Sequence, residues 1–257
     1  MPYFDNEGVK IHYEIEGQGP DLIMIHGFAA SIEYNWRQAN WIETLKEENR
    51  LILLDCRGHG KSEKPRSPDQ YGEKMADDIV KLMEHLAIKK ANFFGYSMGS
   101  RLTLQLMLRE PERLNCAILG GFVLPPDNQH SIRRATAVIH ALKAASMEKI
   151  EDDIGREFRR FAQATGADLE ALAAVMEASS REQSASGHFR EALKRIKMPV
   201  LTVVGSDDFL PGDPTAFAKL IPGACHFQIQ GKDHLTVVPD PRFHMVVRAF
   251  LNYINGK

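Results

Sequence analysis

The pentapeptide Gly95-Tyr96-Ser97-Met98-Gly99 carries the strongest chemical signal in the chain. It directly follows the apolar run Asn92 to Phe94 and directly precedes the helix-like stretch Ser100 to Arg109. A G-x-S-x-G sequence between a strand and a helix presents its serine as a nucleophile. The reason is steric. A very sharp turn strains the serine backbone and brings the positions two before and two after it nearly into contact, so both are glycine. The hydroxyl then sits at a helix N-terminus, whose positive end favours developing negative charge. The bland alternative, a passive serine in a glycine-rich turn, fits this context poorly. Attack on a carbonyl also needs two donors aimed at the developing oxyanion, and the backbone N–H of Met98 is placed to be one. A serine needs a base and the base an orienting acid. Toward the C-terminus the histidines His226, His234 and His244 are candidates, and Asp207 and Asp208 stand side by side after the run Val200 to Val204. Two other patterns fail. Gly58-His59-Gly60-Lys61-Ser62 imitates a phosphate loop, but the glycine such a loop needs at position 55 is Asp55. The ten histidines include no H-E-x-x-H or comparable metal spacing.

Four motifs in order make the chain resemble the α/β-hydrolase family along nearly its whole length. They are His26-Gly27-Phe28 after the run Leu22 to Ile25, the stretch Asp55-Cys56-Arg57-Gly58-His59-Gly60-Lys61-Ser62, the serine pentapeptide, and Gly231-Lys232-Asp233-His234. The resemblance implies a Ser-Asp-His order, with Ser97 as nucleophile, His234 as base and Asp208, from a G-x-x-D pattern beginning at Gly205, as the acid. It implies Phe28 as the second oxyanion donor, with His26 bracing that loop through hydrogen bonds. His226 falls inside an apparent strand and His244 in the last helix. Asp207 is expected to serve turn geometry. Phe28, Phe122, Phe209 and Leu235, beside these positions in sequence, are expected to line an apolar substrate pocket.

The elements that position these residues follow from periodicity. Val9 to Ile15 alternates apolar with polar after the turn residues Asp5 to Gly8, so residues 2 to 16 read as an antiparallel hairpin. Leu22–Ile25, Leu51–Leu54, Asn92–Phe94, Ala117–Leu119 and Val200–Val204 are continuous apolar runs, the mark of strands buried on both faces. Helix-like stretches lie between them at Trp36–Lys46, Glu73–Leu86 and Ser100–Arg109, and Pro241–Ile254 closes the chain. The expected architecture is a doubly wound α/β fold: a mostly parallel eight-stranded sheet with an antiparallel N-terminal hairpin and a helical cap insertion. Residues 1–124 and 198–257 form its core and 125–197 the cap, where helical periodicity persists without a convincing strand.

Composition excludes several classes. A net charge of −2 and a pI near 6.6 give no electrostatic footprint for nucleic acid. No run approaches a membrane span and no signal-like leader opens the chain, so a cytoplasmic protein is the default expectation. Cys56, Cys116 and Cys225 each adjoin an apolar run and read as buried free thiols. No cofactor is called for. The favoured activity is hydrolysis of small carboxylic esters, with a small-molecule acyl substrate as the partner. A carbon–carbon bond hydrolase or a cofactor-free haloperoxidase or perhydrolase shares the same triad in this family. A slow-turnover small-molecule receptor is the alternative of another class. A serine at this turn argues against the family's dehalogenases and epoxide hydrolases, which the resemblance says use aspartate there.

Overall fold

The structure, a computed structural model, describes residues 2–122, 128–183, 189–210, 212–213 and 215–256. The strands are β1 (Tyr3–Asn6), β2 (Val9–Glu16), β3 (Asp21–Ile25), β4 (Arg50–Leu54), β5 (Ala91–Tyr96), β6 (Leu114–Gly120), β7 (Val200–Gly205) and β8 (Cys225–Ile229). They form one sheet in the order β1-β2-β4-β3-β5-β6-β7-β8. β1 pairs with β2 and β2 with β4 antiparallel, and every pair from β4 to β8 is parallel. The hairpin turn is a two-residue loop with Glu7 and Gly8 both at positive φ, the geometry that matches strand twist.

The continuous apolar runs follow from burial on both faces. Along β5, Phe93 packs into one layer and Phe94 into the other; along β3, Ile23 and Ile25 face the first and Leu22 and Met24 the second. That alternation is the strand's period of two, made apolar throughout because helices cover both sides. The first layer is covered by α2 (Glu73–His85) and α3 (Met98–Arg109), the second by α1 (Trp41–Leu45) and α9 (Pro241–Ile254). α8 (Ala216–Leu220) connects β7 to β8.

Two expectations are corrected here. The stretch Trp36–Lys46 is not one helix: a π-helical turn over Ile32–Arg37 ends before Asn40, which sits at φ 62°, and α1 starts anew at Trp41. In one continuous helix Trp36 and Trp41 would point about 140° apart. The break, at a residue type that tolerates the left-handed region, lets both indoles pack on Phe94, with ring centroids 4.9 and 4.8 Å away. The second correction is Cys225. Cys56 and Cys116 are buried, and burial pushes the Cys116 thiol up to about 12, but Cys225 is exposed. It opens β8, an edge strand of the sheet, at an exposed position of that strand's alternating burial.

Between β6 and β7 the described residues are helical: α4 (Asn128–Lys143), α5 (Asp153–Ala164), α6 (Leu169–Gln183) and α7 (Phe189–Leu193). α4 packs against both α5 and α6. The expected start of this insertion at residue 125 lies outside the described residues. Among the described residues, no helix is long and apolar enough to cross a membrane.

Candidate active site

Ser97 joins β5 to α3 at φ 52° and ψ −106°, a conformation that L-residues rarely adopt. Close packing enforces it. A Cβ on Gly95 would lie 2.3 Å from the Gly99 carbonyl oxygen, and one on Gly99 would lie 1.9 Å from that of Ile25. Glycine at both positions is therefore a packing requirement. The Ser97 N–H donates to the Gly120 carbonyl at 2.8 Å, and the Ser100 hydroxyl lies 2.8 Å from the carbonyls of both Gly95 and Gly120.

Opposite the hydroxyl stands His234, with Nε2 2.9 Å from Ser97 Oγ. Its Nδ1 is 2.8 Å from Asp208 Oδ2. With the proton on Nδ1, the ring donates to the carboxylate and accepts from the serine, so each donor faces an acceptor. The second Asp208 oxygen accepts from the Leu210 N–H at 2.9 Å. His234 and Asp208 are both almost fully shielded from solvent, at 4% side-chain exposure. Asp207 is exposed and points elsewhere: its carboxylate accepts from the Ser206 hydroxyl at 2.8 Å, and its N–H donates to the Lys232 carbonyl at 2.9 Å. Gly205, at the end of β7, lets the loop after β8 pass close by; a Cβ there would lie 2.0 Å from the Lys232 oxygen. The loop is fixed from below by the buried Tyr96, whose hydroxyl donates to the His234 carbonyl.

The other two C-terminal histidines lie elsewhere. His226 Nδ1 is 2.7 Å from the Thr202 hydroxyl, between β7 and β8. His244 packs its ring 4.2 Å from that of Trp41, with Nδ1 3.3 Å from the Thr44 hydroxyl.

Past β3, the loop carrying Phe28 is cross-linked by side chains. His26 is buried; burial lowers its pKa, so the ring is neutral, donating from Nδ1 to the Gly27 carbonyl at 2.7 Å and accepting at Nε2 from the Cys56 N–H at 3.0 Å. The Gly27 N–H donates to Asn35 Oδ1 at 2.8 Å, and the Thr165 hydroxyl, at the end of α5, donates to the Ala29 carbonyl at 2.8 Å. The amide N–H groups of Phe28 and Met98 donate to no other described residue. The Asp55–Ser62 stretch is scaffold beneath this loop. Asp55 accepts from the Ile32 and Lys61 N–H groups at 2.8 and 2.9 Å and sits 3.0 Å from His12 Nδ1. Burial pushes its carboxyl upward, but these hydrogen bonds outweigh burial and hold it at about 2. Arg57 makes two bonds of 2.6 Å to Asp78 on α2.

A cavity of about 240 Å³ opens at Ser97 and His234, walled by Phe28, Phe158, Phe161, Phe209 and Leu235. Three of the four expected pocket residues therefore line it. Phe122 does not. It packs on Phe217, with ring centroids 4.7 Å apart, and borders a separate recess of about 100 Å³ on the far side of Phe28 and Phe158, which line both. Tyr96, Asn35 and Thr165 were not singled out by sequence reasoning. Tyr96 is a variable position of its motif; the other two act on the loop from 8 and 136 residues away. Among the described residues, no group of three His, Cys, Asp or Glu side chains could hold a metal.

Comparison with known proteins gives the same architecture. A family model described as alpha/beta hydrolase fold matches residues 20–156. The chain is 28% identical, over 95% of its length and 88% of the relative's, to 2-hydroxy-6-oxo-6-(2'-aminophenyl)hexa-2,4-dienoic acid hydrolase of Metapseudomonas resinovorans. It is 31% identical to the pimeloyl-acyl-carrier-protein methyl ester esterase of Nitrosospira multiformis, over 60% of this chain and 57% of that one. Two further relatives are spanned for only 41% and 42% of their length. Among solved structures, the enol-lactonase of Burkholderia xenovorans superposes with a TM-score of 0.77 at 25% identity, covering 98% of this chain and 100% of the other.

Proposed function

We propose that this chain, which belongs to the alpha/beta hydrolase fold family, is a serine hydrolase that cleaves small carboxylic esters through an acyl-enzyme. One observation carries the reading: the unbroken line Asp208 Oδ2, His234 Nδ1, His234 Nε2, Ser97 Oγ, with contacts of 2.8 and 2.9 Å. Ser97 Oγ attacks the ester carbonyl while His234 Nε2 takes its proton. The carbonyl oxygen becomes an oxyanion that the Phe28 and Met98 N–H groups receive. His234 then gives the proton to the departing alkoxide, the carbon–oxygen bond breaks, and Ser97 keeps the acyl group. Water, deprotonated by the same nitrogen, repeats the sequence and releases the acid. Asp208 holds the imidazole in the productive tautomer and stabilises its cation. The helices α4 to α7 act as a cap, with Phe158 and Phe161 of α5 closing the pocket over the serine.

Removal of the nucleophile tests this. Ser97→Ala abolishes hydrolysis of p-nitrophenyl acetate, a loss on the order of 10⁶ in kcat, with the circular dichroism spectrum unchanged. A fluorophosphonate labels the wild type at Ser97 alone. Label on another serine, or full activity in the variant, overturns the assignment. A second reading keeps the same three residues and changes the bond. The relative matched over 95% of this chain is a hydrolase of a hexa-2,4-dienoic acid, a substrate whose name contains no ester. Turnover of a vinylogous diketone acid faster than of any ester would favour that reading.

A further inference from the structure

The two recesses that meet at Ser97 differ in chemistry. The larger is walled mainly by aromatic and aliphatic groups. The smaller carries two guanidinium groups, Arg101 and Arg134, and two serines, Ser131 and Ser179, and none of its described lining residues is acidic. Arg101 lies four residues past Ser97 on α3, and its N–H donates to the Ser97 carbonyl at 3.1 Å, so it rises from the same face of that helix as the nucleophile. Arg134 lies on α4 beside Ser131, Ala135 and Val138, all buried, while its neighbour Arg133 is exposed. Helical spacing thus puts a guanidinium on the face of α4 that otherwise packs inward.

Such a placement is costly unless an anion compensates it. Burial lowers the Arg134 pKa; the Asp208 charge offsets this in part, and the Arg101 charge adds to it. Asp208 is itself engaged by His234 and the Leu210 N–H. Arg134 makes no hydrogen bond or ion pair with any described residue. A cation so placed, open to a small recess beside the nucleophile, is a receptor for an anion that arrives with the substrate. A guanidinium gives two parallel N–H donors that match a planar carboxylate, and the Ser131 and Ser179 hydroxyls line the same recess.

We infer that this recess binds a carboxylate of the substrate, so that the ester cleaved at Ser97 carries a free acid on one arm and an apolar group on the other. The inference rests on the ester-hydrolase reading above and adds its substrate class. The acid seats on Arg134 and Arg101, the apolar arm lies among Phe158, Phe161 and Leu235, and the scissile carbonyl falls between them at Ser97.

Two matched pairs of esters test it. In the first the acyl arm bears the acid: mono-p-nitrophenyl glutarate against p-nitrophenyl pentanoate. In the second the alcohol arm bears it: the butanoate ester of a hydroxybutanoic acid against the same compound with its acid methylated. The measured quantity is the ratio of kcat/KM within each pair, so a general loss of activity in a variant cancels. The wild type prefers the acid in at least one pair. Arg134→Met lowers that ratio by a factor of about 10 to 100, the usual cost of a lost charge-assisted hydrogen bond, and Arg134→Lys by less. No preference in either pair, or a preference that survives Arg134→Met, overturns the inference. If no ester is turned over and the fluorophosphonate leaves Ser97 unlabelled, the ester-hydrolase reading has failed instead. Calorimetric titration with monomethyl glutarate then decides the carboxylate site: binding lost in Arg134→Met supports it, and absence of binding to the wild type overturns it.

Discussion

Gly99→Ala measures how tightly the nucleophile is held. The added Cβ would stand 1.9 Å from the Ile25 carbonyl oxygen and 2.9 Å from that of His26, where real Cβ atoms essentially never come within 3.0 Å. Both obstacles are backbone, and β3 is hydrogen-bonded on one side to β4 and on the other to β5, so it has no room to yield. The first turn of α3 must therefore withdraw by roughly 1 Å, as overpacked sites do at a cost of about 1–3 kcal/mol. That turn contains the Met98 N–H and follows Ser97 directly. A shift of this size stretches the 2.9 Å contact from Ser97 Oγ to His234 beyond hydrogen-bond range and moves Met98 off the oxyanion. A misplacement of about 1 Å costs on the order of 10² in rate. The assay is kcat/KM on p-nitrophenyl butanoate with a thermal melt alongside, and Tm should fall by about 2–10 °C. Gly166→Ala is the control: it carries the strain of a positive φ, which Gly99→Ala does not, but nothing lies within 4 Å of its Cβ, and its kcat/KM stays near that of the wild type. A Gly99→Ala enzyme with wild-type kcat/KM and Tm would refute the reasoning that glycine at this turn is required by packing.

Three further outcomes follow from the same geometry. Asp208→Asn lowers kcat by up to about 10⁴, because an amide supports the wrong tautomer of His234; Asp207→Asn keeps most activity, and the reverse pattern would move the acid one residue earlier. The pocket of about 240 Å³ favours short and medium acyl chains, so a butanoate ester is turned over faster than an emulsion of long-chain triglyceride, and the opposite order refutes that reading of the cavity. Acid weakens the fold: His59, held at about 3 by burial and the nearby His26, takes up its proton in the unfolded chain near the ordinary 6.5, so stability is lost as pH falls from about 6.5 toward 3. Asp55, at about 2, acts in the same direction below its ordinary 3.8. The His59 share at pH 4.5 is roughly 2–3 kcal/mol, and a urea midpoint that does not move between pH 7 and 4.5 would contradict it.

What was legible in the sequence is what local patterning encodes. Five of the six parallel strands announce themselves because burial on both faces leaves few polar positions in the run, and the serine turn because its sterics dictate glycine at fixed offsets. His234 and Asp208 follow from the order and the G-x-x-D pattern that the family resemblance implies; His234 lies within hydrogen-bond distance of Ser97, and Asp208 within that distance of His234. The features that escaped depend on partners far away in sequence. Nothing near Trp36 says that Phe94 will receive two indoles and break a helix. Nothing near Thr165 says that its hydroxyl will hold the Ala29 carbonyl. Arg134 reads as one more charge on a solvated helix until α4 is seen to turn that face inward. Cys225 fails differently: it opens a strand at an edge of the sheet, where alternate residues face outward, and edge position is a property of the whole sheet.

The site also shows where the fold spends stability. Ser97 sits in a strained conformation, a cost on the order of 1–3 kcal/mol, and such strain persists only if its surroundings over-determine it. They do so on three sides. The Gly95–Gly99 contact and the Ile25 carbonyl leave the turn no other path, Ser100 ties it to β5 and β6, and Tyr96 pins the loop that carries His234. Behind these lies the buried pair Arg57–Asp78, joined by Asn6 from β1 at 2.7 Å. Replacing such a pair by apolar groups is often neutral, whereas removing one partner costs about 3–5 kcal/mol. Its importance is therefore geometric: it fixes the loop after β4 to α2 and the hairpin, and through the Cys56 N–H that loop holds His26 and the segment carrying Phe28. A polar network under the active loops, rather than under the sheet centre, is where rigidity is needed if the reacting atoms are to stay within a few tenths of an ångström of their working positions.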